Sequence, residues 1–151
     1  MDVRTLAFDE LPPRLAYRVW QLRQEVFVVE QECPYPDLDG RDDEPGTRHV
    51  LLLDGDELLG YLRVLSDGDD PETGEPVARV GRVVLAPAAR GRGLGTPLMR
   101  AALDVVGDRV SVLSAQAPLA GWYGAHGYVV SGDGYDEDGI PHLPMTRPAG
   151  G

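Results

Sequence analysis

An α/β fold on a mixed central sheet is the class this sequence predicts, and three observations predict it. The apolar run Val77 to Leu85 enters a glycine-rich stretch, Ala89-Arg90-Gly91-Arg92-Gly93-Leu94-Gly95-Thr96, and an apolar-periodic helix pattern leaves it. Upstream, Pro12-Pro13 opens an amphipathic helix pattern, followed by two strand-like runs around Asp54-Gly55. Downstream, short strand and helix patterns alternate as far as Met145 with no internal repeat.

In chain order, Val3, Leu6 and Phe8 suggest a short first strand over residues 2 to 8. Leu15, Val19, Leu22 and Val26 recur at helical spacing after the two prolines, with Arg14, Arg18, Gln21 and Glu25 on other faces. That helix should continue raggedly through Phe27-Val28-Val29-Glu30-Gln31 and stop at Cys33-Pro34-Tyr35-Pro36, because proline and the residue before it resist the helix. Residues 36 to 48 read as an acidic loop carrying Asp37, Asp39, Asp42, Asp43 and Glu44, most simply a solvated one. His49 to Leu53 and Leu58 to Leu65 form a hairpin about Asp54-Gly55-Asp56-Glu57. Ser66 to Pro76 reads as an exposed polar loop.

Val77 to Leu85 is the next strand, and its alternation breaks at Val83-Val84-Leu85, as in a bulged or doubly buried strand. Leu94, Leu98, Ala101, Ala102 and Val105 mark a helix that Gly107 closes. Val110, Val112 and Leu113 give a fifth strand, and Pro118 to His126 a short helix ended by Gly127. Tyr128 to Val130 and Ile140 to Met145 close the sheet as a strand pair around the loop Ser131 to Gly139. One domain over residues 1–147, with 148–151 as a loose tail, accounts for the 151 residues.

Composition narrows the function. The formal net charge of −11 argues against nucleic acid or an anionic membrane as the main partner. It also means that a polyanionic ligand must be held by local donors such as Arg90 and Arg92. A single cysteine, Cys33, permits no internal disulfide and points to a reducing compartment. With no signal-peptide pattern and no membrane-length apolar run, a cytoplasmic location is expected. The three histidines and one cysteine show no metal-ligand spacing, so no metal site is expected.

The glycine-rich stretch carries the chemistry. A strand-to-helix junction of this kind exposes consecutive main-chain N–H groups beside the positive end of a helix dipole, a site suited to a phosphate-bearing ligand. It is not a P-loop, which needs GxxxxGK[ST], because the chain has no lysine and all 14 basic residues are arginine. Nor is it a dinucleotide fingerprint, since Gly91, Gly93 and Gly95 are spaced GxGxG instead of GxGxxG. A glycine-rich turn without a ligand is the remaining plain reading.

Read as Arg-x-x-Gly-x-Gly, from Arg90 through Gly93 to Gly95, the stretch resembles the pyrophosphate loop of the GNAT acetyltransferases, which bind acetyl-CoA. The order of strand, loop, helix, strand, Ala115-Gln116, Trp122-Tyr123 and Gly127-Tyr128 is similar to the CoA-binding half of that fold. Val26-Phe27-Val28-Val29-Glu30-Gln31, Gly81-Arg82-Val83-Val84, Ala115-Gln116-Ala117 and Glu137-Asp138-Gly139-Ile140-Pro141-His142 resemble its ElaA-like branch. The resemblance implies a twisted sheet of about seven strands with about four helices. It implies acetyl-CoA as cosubstrate, no metal, a primary amine of a small molecule or peptide as acceptor, and a monomer or homodimer.

By the same resemblance, the amides of Arg90, Gly91, Arg92, Gly93, Leu94, Gly95 and Thr96 hold the pyrophosphate. Val83, Val84 and Leu85 bond the pantetheine arm where the fourth and fifth strands part, with Gln116 on the facing strand. Tyr123 falls where the family carries the acid that protonates the departing thiolate; a tyrosine packed on a helix is its plain reading. Some members place a catalytic glutamate on the fourth strand, where this chain has Arg79 and Arg82. The base must then come from elsewhere, with Glu30, Glu32, His49 and His142 as candidates. His142 lies on the acceptor side, although a histidine satisfied by Glu137 or Asp138 is an equal reading. Cys33 reads as a small inert side chain and His126 as a helix-end residue.

The negative field of the chain favours a cationic amine such as a polyamine, an amino sugar or a peptide amine. Two other readings stay open. Arg23 and Phe27, followed by Asp39 and Asp43, resemble the acyl-homoserine-lactone synthases, which tend to lack so complete a loop. A non-catalytic acetyl-CoA sensor fits the missing strand-four carboxylate but leaves Tyr123 unexplained.

Overall fold

The computed structural model describes residues 1–150. Eight strands form one sheet: β1 (Asp2–Leu6), β2 (Arg48–Asp54), β3 (Glu57–Asp69), β4 (Pro76–Leu85), β5 (Ser111–Gln116), β6 (Val129–Val130), β7 (Tyr135–Glu137) and β8 (Ile140–Arg147). Their order is β1-β2-β3-β4-β5-β8-β6, with β7 on β8 off that path. Only β4 and β5 run parallel; the other pairs are antiparallel.

Each sheet face has its own core. One packs Val50, Leu52, Leu62, Val64, Ala78 and Val80 against helix α2 (Gly95–Val106). The other packs Leu51, Leu53 and Tyr61 against Val19 and Leu22 of helix α1 (Pro13–Arg23) and Val26. The unbroken apolar run Val50 to Leu53 follows directly, because a central strand covered on both faces has no polar side.

The expected break in β4 is a bulge with a consequence for both faces. Tyr61 opposes Val84 and Arg63 opposes Gly81, so three steps along β4 match two along β3. Arg82 sits at the extra position with φ +52. Before the bulge, Ala78 and Val80 face α2; after it, Val83 and Leu85 pack on that side and Val84 joins the α1 side. Three apolar residues in a row are thus what a strand needs when its parity switches while both faces stay covered.

Beyond α1 the ragged continuation is a π-helical segment, Gln24–Glu30, closed by five-residue bonds from Gln31 N to Val26 O (3.1 Å) and Cys33 N to Val28 O (3.0 Å). Such wide turns are uncommon and concentrate at functional sites. A short helix, α3 (Ala120–Gly124), follows a 3₁₀ turn after β5.

Some boundaries differ from the sequence reading. Phe8 leaves the first strand for a 3₁₀ turn, Phe8–Glu10, where Ala7 N donates to the Glu10 carboxylate at 2.8 Å. The polar loop shrinks to residues 70–75, because β3 runs to Asp69 against β4. The loop Ser131 to Gly139 holds the unexpected β7, which turns back through Asp138-Gly139 onto β8. In the tail, Gly150 N donates to Asp108 O at 2.9 Å, and residue 151 lies outside the described residues.

Candidate active site

The parallel strands set the site. Beta-4 and β5 pair only at Ala78↔Ser111 and Arg79↔Val112, and then part. Into the opening runs a cleft of about 780 Å³, with Val80 to Leu85 along one wall and Ser114 and Gln116 along the other. Arg90, Gly93, Leu94, Gly95 and Thr96 close one end; Cys33, Tyr35, Glu137, Asp138 and His142 lie toward the other. Twelve of the predicted site residues share this cleft, Glu30 and Tyr123 included, whereas Gly91 and Arg92 are exposed and do not line it.

The loop end is built for an anion. Gly91 and Gly93 take φ +74 and +71, values that glycine adopts without strain. Among the described residues, no protein group accepts from the amides of Gly91, Arg92, Gly93 or Leu94, and no side chain caps α2. Uncapped amides at the start of a 12-residue helix form a positive concavity. Packing accounts for Gly95. A Cβ there would lie 2.8 Å from Trp122 Cζ2, so this glycine seats α2 against α3.

Arg90 already has a partner: its guanidinium meets Glu30 at 3.0 and 3.1 Å across the mouth of the cleft. A bound polyanion would compete with that carboxylate for Arg90 and meet its repulsion. Exposed ion pairs contribute about 0.2–1 kcal/mol. Glu30→Gln is therefore expected to lower the dissociation constant of CoA by up to about fivefold in calorimetry; unchanged or weaker binding contradicts the competition.

Tyr123 is buried, 6% exposed, and lines the cleft. Its ring meets Trp122 edge-on at 4.9 Å and Tyr128 at 6.4 Å, while its hydroxyl bonds no protein group among the described residues. Burial, followed by the neighbouring Tyr128, pushes its pKa up to about 12. The hydroxyl therefore keeps its proton at any physiological pH.

His142 pairs with Gln116 in register, so β8 carries it to the cleft beside β5. Its Nδ1 lies 2.7 Å from Ile140 O; a carbonyl only accepts, so Nδ1–H donates, and in the neutral ring the lone pair is on Nε2. Glu137 Oε2 stands 3.5 Å from Nε2, placed to stabilise an imidazolium. Tyr135 stacks on the ring at 6.0 Å. His142 thus lines the cleft and stands beside Glu137 at once.

The other base candidates separate. His49 is fully buried off the cleft, its Nδ1 2.7 Å from the Tyr61 hydroxyl and its Nε2–H donating to Asp42 O at 2.9 Å. It is a strut between loop and sheet. Glu32 is exposed with φ +50 and does not line the cleft. Cys33 does line it, with Sγ 3.9 Å from Asp138 O, and burial followed by the Asp138 and Glu137 charges raises its pKa.

Burial also lowers the pKa of His49, so the folded chain releases its proton while the unfolded chain holds it below about pH 6.5. Stability should be full above that pH and decline as pH falls toward 5. His49→Gln should flatten this slope in urea titrations at stepped pH; an equally steep slope would locate the effect elsewhere.

The acidic loop departs most from its expectation. Asp37 and Asp42 are buried, and both hold Arg23, which is 0% exposed at the end of α1. Arg23 Nε reaches Asp37 Oδ2 at 2.9 Å, Nη1 reaches Asp42 Oδ1 at 2.6 Å, and Nη2 donates to Asp37 O at 2.8 Å. Arg63 on β3 adds bonds to Asp39 at 2.6 and 2.9 Å and to Asp42 at 3.1 Å. Its hydrogen bonds hold the Asp39 carboxyl well below the usual range. From the bulge, Arg82 places Nε 2.9 Å from Asp37 Oδ1, off the hydrogen-bond direction, and covers the Tyr35 ring at 5.4 Å. Tyr35 in turn donates to Asp37. The solvated-loop reading is therefore corrected: three aspartates and three arginines bind this loop to the sheet beside the cleft. One signal in the sequence pointed to it, since Arg23 falls four residues after Val19 and three before Val26, on the apolar stripe of the helix.

This architecture, with its parted parallel strands over a glycine-rich loop, is the acyl-CoA N-acyltransferase fold. A family model described as the acetyltransferase (GNAT) family matches residues 16–128, and the chain belongs to that family. A UPF0039 protein of Mycobacterium tuberculosis is 46% identical over 150 residues, covering 99% of this chain and 94% of its own. Protein ElaA of Escherichia coli is 42% identical, covering 97% of this chain and 96% of its own, and its crystal structure superposes with a TM-score of 0.88. An acyl-CoA N-acyltransferase from Pseudomonas aeruginosa superposes with a TM-score of 0.87 at 42% identity, covering 97% of this chain and 99% of that one. Within the family, the chain falls in the ElaA-like branch.

Proposed function

We propose that the protein is an N-acetyltransferase that carries the acetyl group of acetyl-CoA directly to a primary amine. The observation that carries this reading is the unbroken track from the uncapped loop amides, between the parted β4 and β5, to the unpartnered Tyr123 hydroxyl. In this reading the loop from Arg90 to Thr96 receives the pyrophosphate. Main-chain groups of Val83, Val84 and Leu85, unpaired toward β5, receive the pantetheine arm as an added strand would be received.

The acceptor arrives as an ammonium ion, and His142 Nε2 takes one proton, with Glu137 steadying the imidazolium. The freed amine attacks the thioester carbonyl, polarised by a main-chain N–H near Val84. As the C–N bond forms and the C–S bond breaks, the sulfur takes a proton from Tyr123, which is replenished by the proton the nitrogen sheds. The products are the acetamide, free CoA thiol and one proton. Glu30, committed to Arg90, tunes the cosubstrate end in place of acting as base.

Calorimetry with acetyl-CoA and with desulfo-CoA, together with thiol release across an amine panel, tests the reading. Micromolar binding and turnover of at least one amine are expected; absence of acetyl-CoA binding would remove it.

A further inference from the structure

We infer that the acceptor is an aminocarboxylate, a small molecule carrying its primary amine a few atoms from a carboxylate. The inference rests on the acetyltransferase reading and names the substrate class of that same site. Its basis is the distribution of unused donors in the acceptor half of the cleft. Arg79, on β4, spends only Nε on Asp67 (2.7 Å), leaving both Nη groups without a protein partner, and its side chain is 41% exposed. Arg82 leaves Nη1 unbonded and reaches the cleft from a backbone conformation, φ +52, that an arginine rarely adopts. Strain of that kind is retained where the surrounding structure makes use of it.

Two orphaned groups belong to residues that line the same cleft. Arg63, 3% exposed and lining the cleft, has a buried Nε with no hydrogen-bond partner, and Ser114 Oγ on β5 is likewise buried and unpartnered. Buried donors are normally satisfied, so unsatisfied ones on residues that line a cleft call for an acceptor-rich ligand group. Guanidinium forks match a carboxylate in charge and geometry. The end of the cleft formed by β7 and β8 has the other polarity: Glu137, Asp138 and His142 suit an ammonium. Cationic donors for an anion and acidic groups for an amine in one cleft describe a site for a zwitterion.

The expectation of a cationic amine such as a polyamine, an amino sugar or a peptide amine came from the net charge of −11. That field is screened within about 8–10 Å at physiological salt, so the groups inside the cleft decide. A polyamine would face Arg79 and Arg82 with no anion to offer them.

The test compares free amino acids with their carboxamides and with the corresponding decarboxylated amines, plus a polyamine, by thiol release from acetyl-CoA. At least one amino acid should exceed its carboxamide at least tenfold in kcat/KM. In Arg79→Gln that ratio should collapse at least tenfold, with the Tm showing the variant folded. Calorimetry of amino acids against the CoA-loaded protein should give binding that the same substitution weakens at least tenfold. Equal use of carboxamides, preference for the polyamine, or a ratio that survives Arg79→Gln overturns the inference while leaving acetyl transfer standing. Absence of acetyl-CoA binding instead removes the underlying reading and the inference with it.

Discussion

Tyr123→Phe is expected to lower kcat for acetyl transfer by about a hundredfold or more, the range that a positioned general acid supplies, while the dissociation constant for acetyl-CoA stays within about twofold. The substitution is unusually clean. The ring keeps its edge-on contacts with Trp122 and Tyr128, and the lost hydroxyl bonds no protein group among the described residues. No buried partner is orphaned, so unfolding free energy should move by less than about 1 kcal/mol. Its pKa of about 12 has two consequences. First, no descending limb below about pH 10 should come from Tyr123. Second, the burial that makes this tyrosine a weak acid also raises the proton affinity of a thiolate formed beside it, keeping donor and recipient matched. A thioester with a more acidic thiol leaves without such help, so it should recover most of the lost rate. Stopped-flow and steady-state thiol release would check both points. An unchanged kcat, or a loss that the activated thioester does not rescue, would remove Tyr123 from the proton path.

The largest effect on stability is expected from Arg23→Met, about 3–5 kcal/mol of unfolding free energy, as found when one partner of a buried ion pair is removed. Methionine fills much of the volume, so the loss is electrostatic. Asp37 and Asp42 would stay buried beside Arg82 and Arg63, short of the three bonds that Arg23 provides. Trp20 and Tyr61, which flank the guanidinium at 5.3 and 5.8 Å, would lose their cation as well. Arg23→Lys restores charge without the planar fork and should fall between the two. With urea slopes of about 1–3 kcal/mol/M, the midpoint should drop by at least about 1 M for methionine. A change below about 1 kcal/mol would mean that water reaches the cluster and relaxes it.

How legible this protein was in its sequence varied with the kind of contact involved. The glycine-loop end of the cleft was readable because its parts are contiguous. A strand, a glycine-rich loop and a helix start occupy one stretch from Val77 to Thr96, and main-chain geometry follows from local residue types. The π-helical segment and the β4 bulge were also visible, as a ragged helix end and a broken alternation. The hairpin Tyr135–Ile140 was missed because its strand is short, exposed and polar, with no apolar alternation to mark it.

The other end of the cleft was harder for a physical reason. Its character comes from side chains far apart in sequence: Arg23, Asp37, Asp42, Arg63 and Arg82 are spread over 60 residues and meet only in the folded chain. Composition counts their charges but not their pairing, so Asp37 to Glu44 read as a solvated acidic run. Likewise nothing local distinguishes His49, a buried strut, from His142, a cleft histidine with its tautomer set by Ile140 O.

Local residue patterns thus specified the fold class and the glycine-rich loop, and the motifs spaced along the chain carried the resemblance to the family, because each can be read from residues adjacent in the chain. Which charges are buried, which are paired and which donors remain for a ligand emerged only when the sheet brought β3, β4, β5 and β8 side by side. Charge pairing acts through space over a few ångströms, and the order of residues along the chain does not encode that distance.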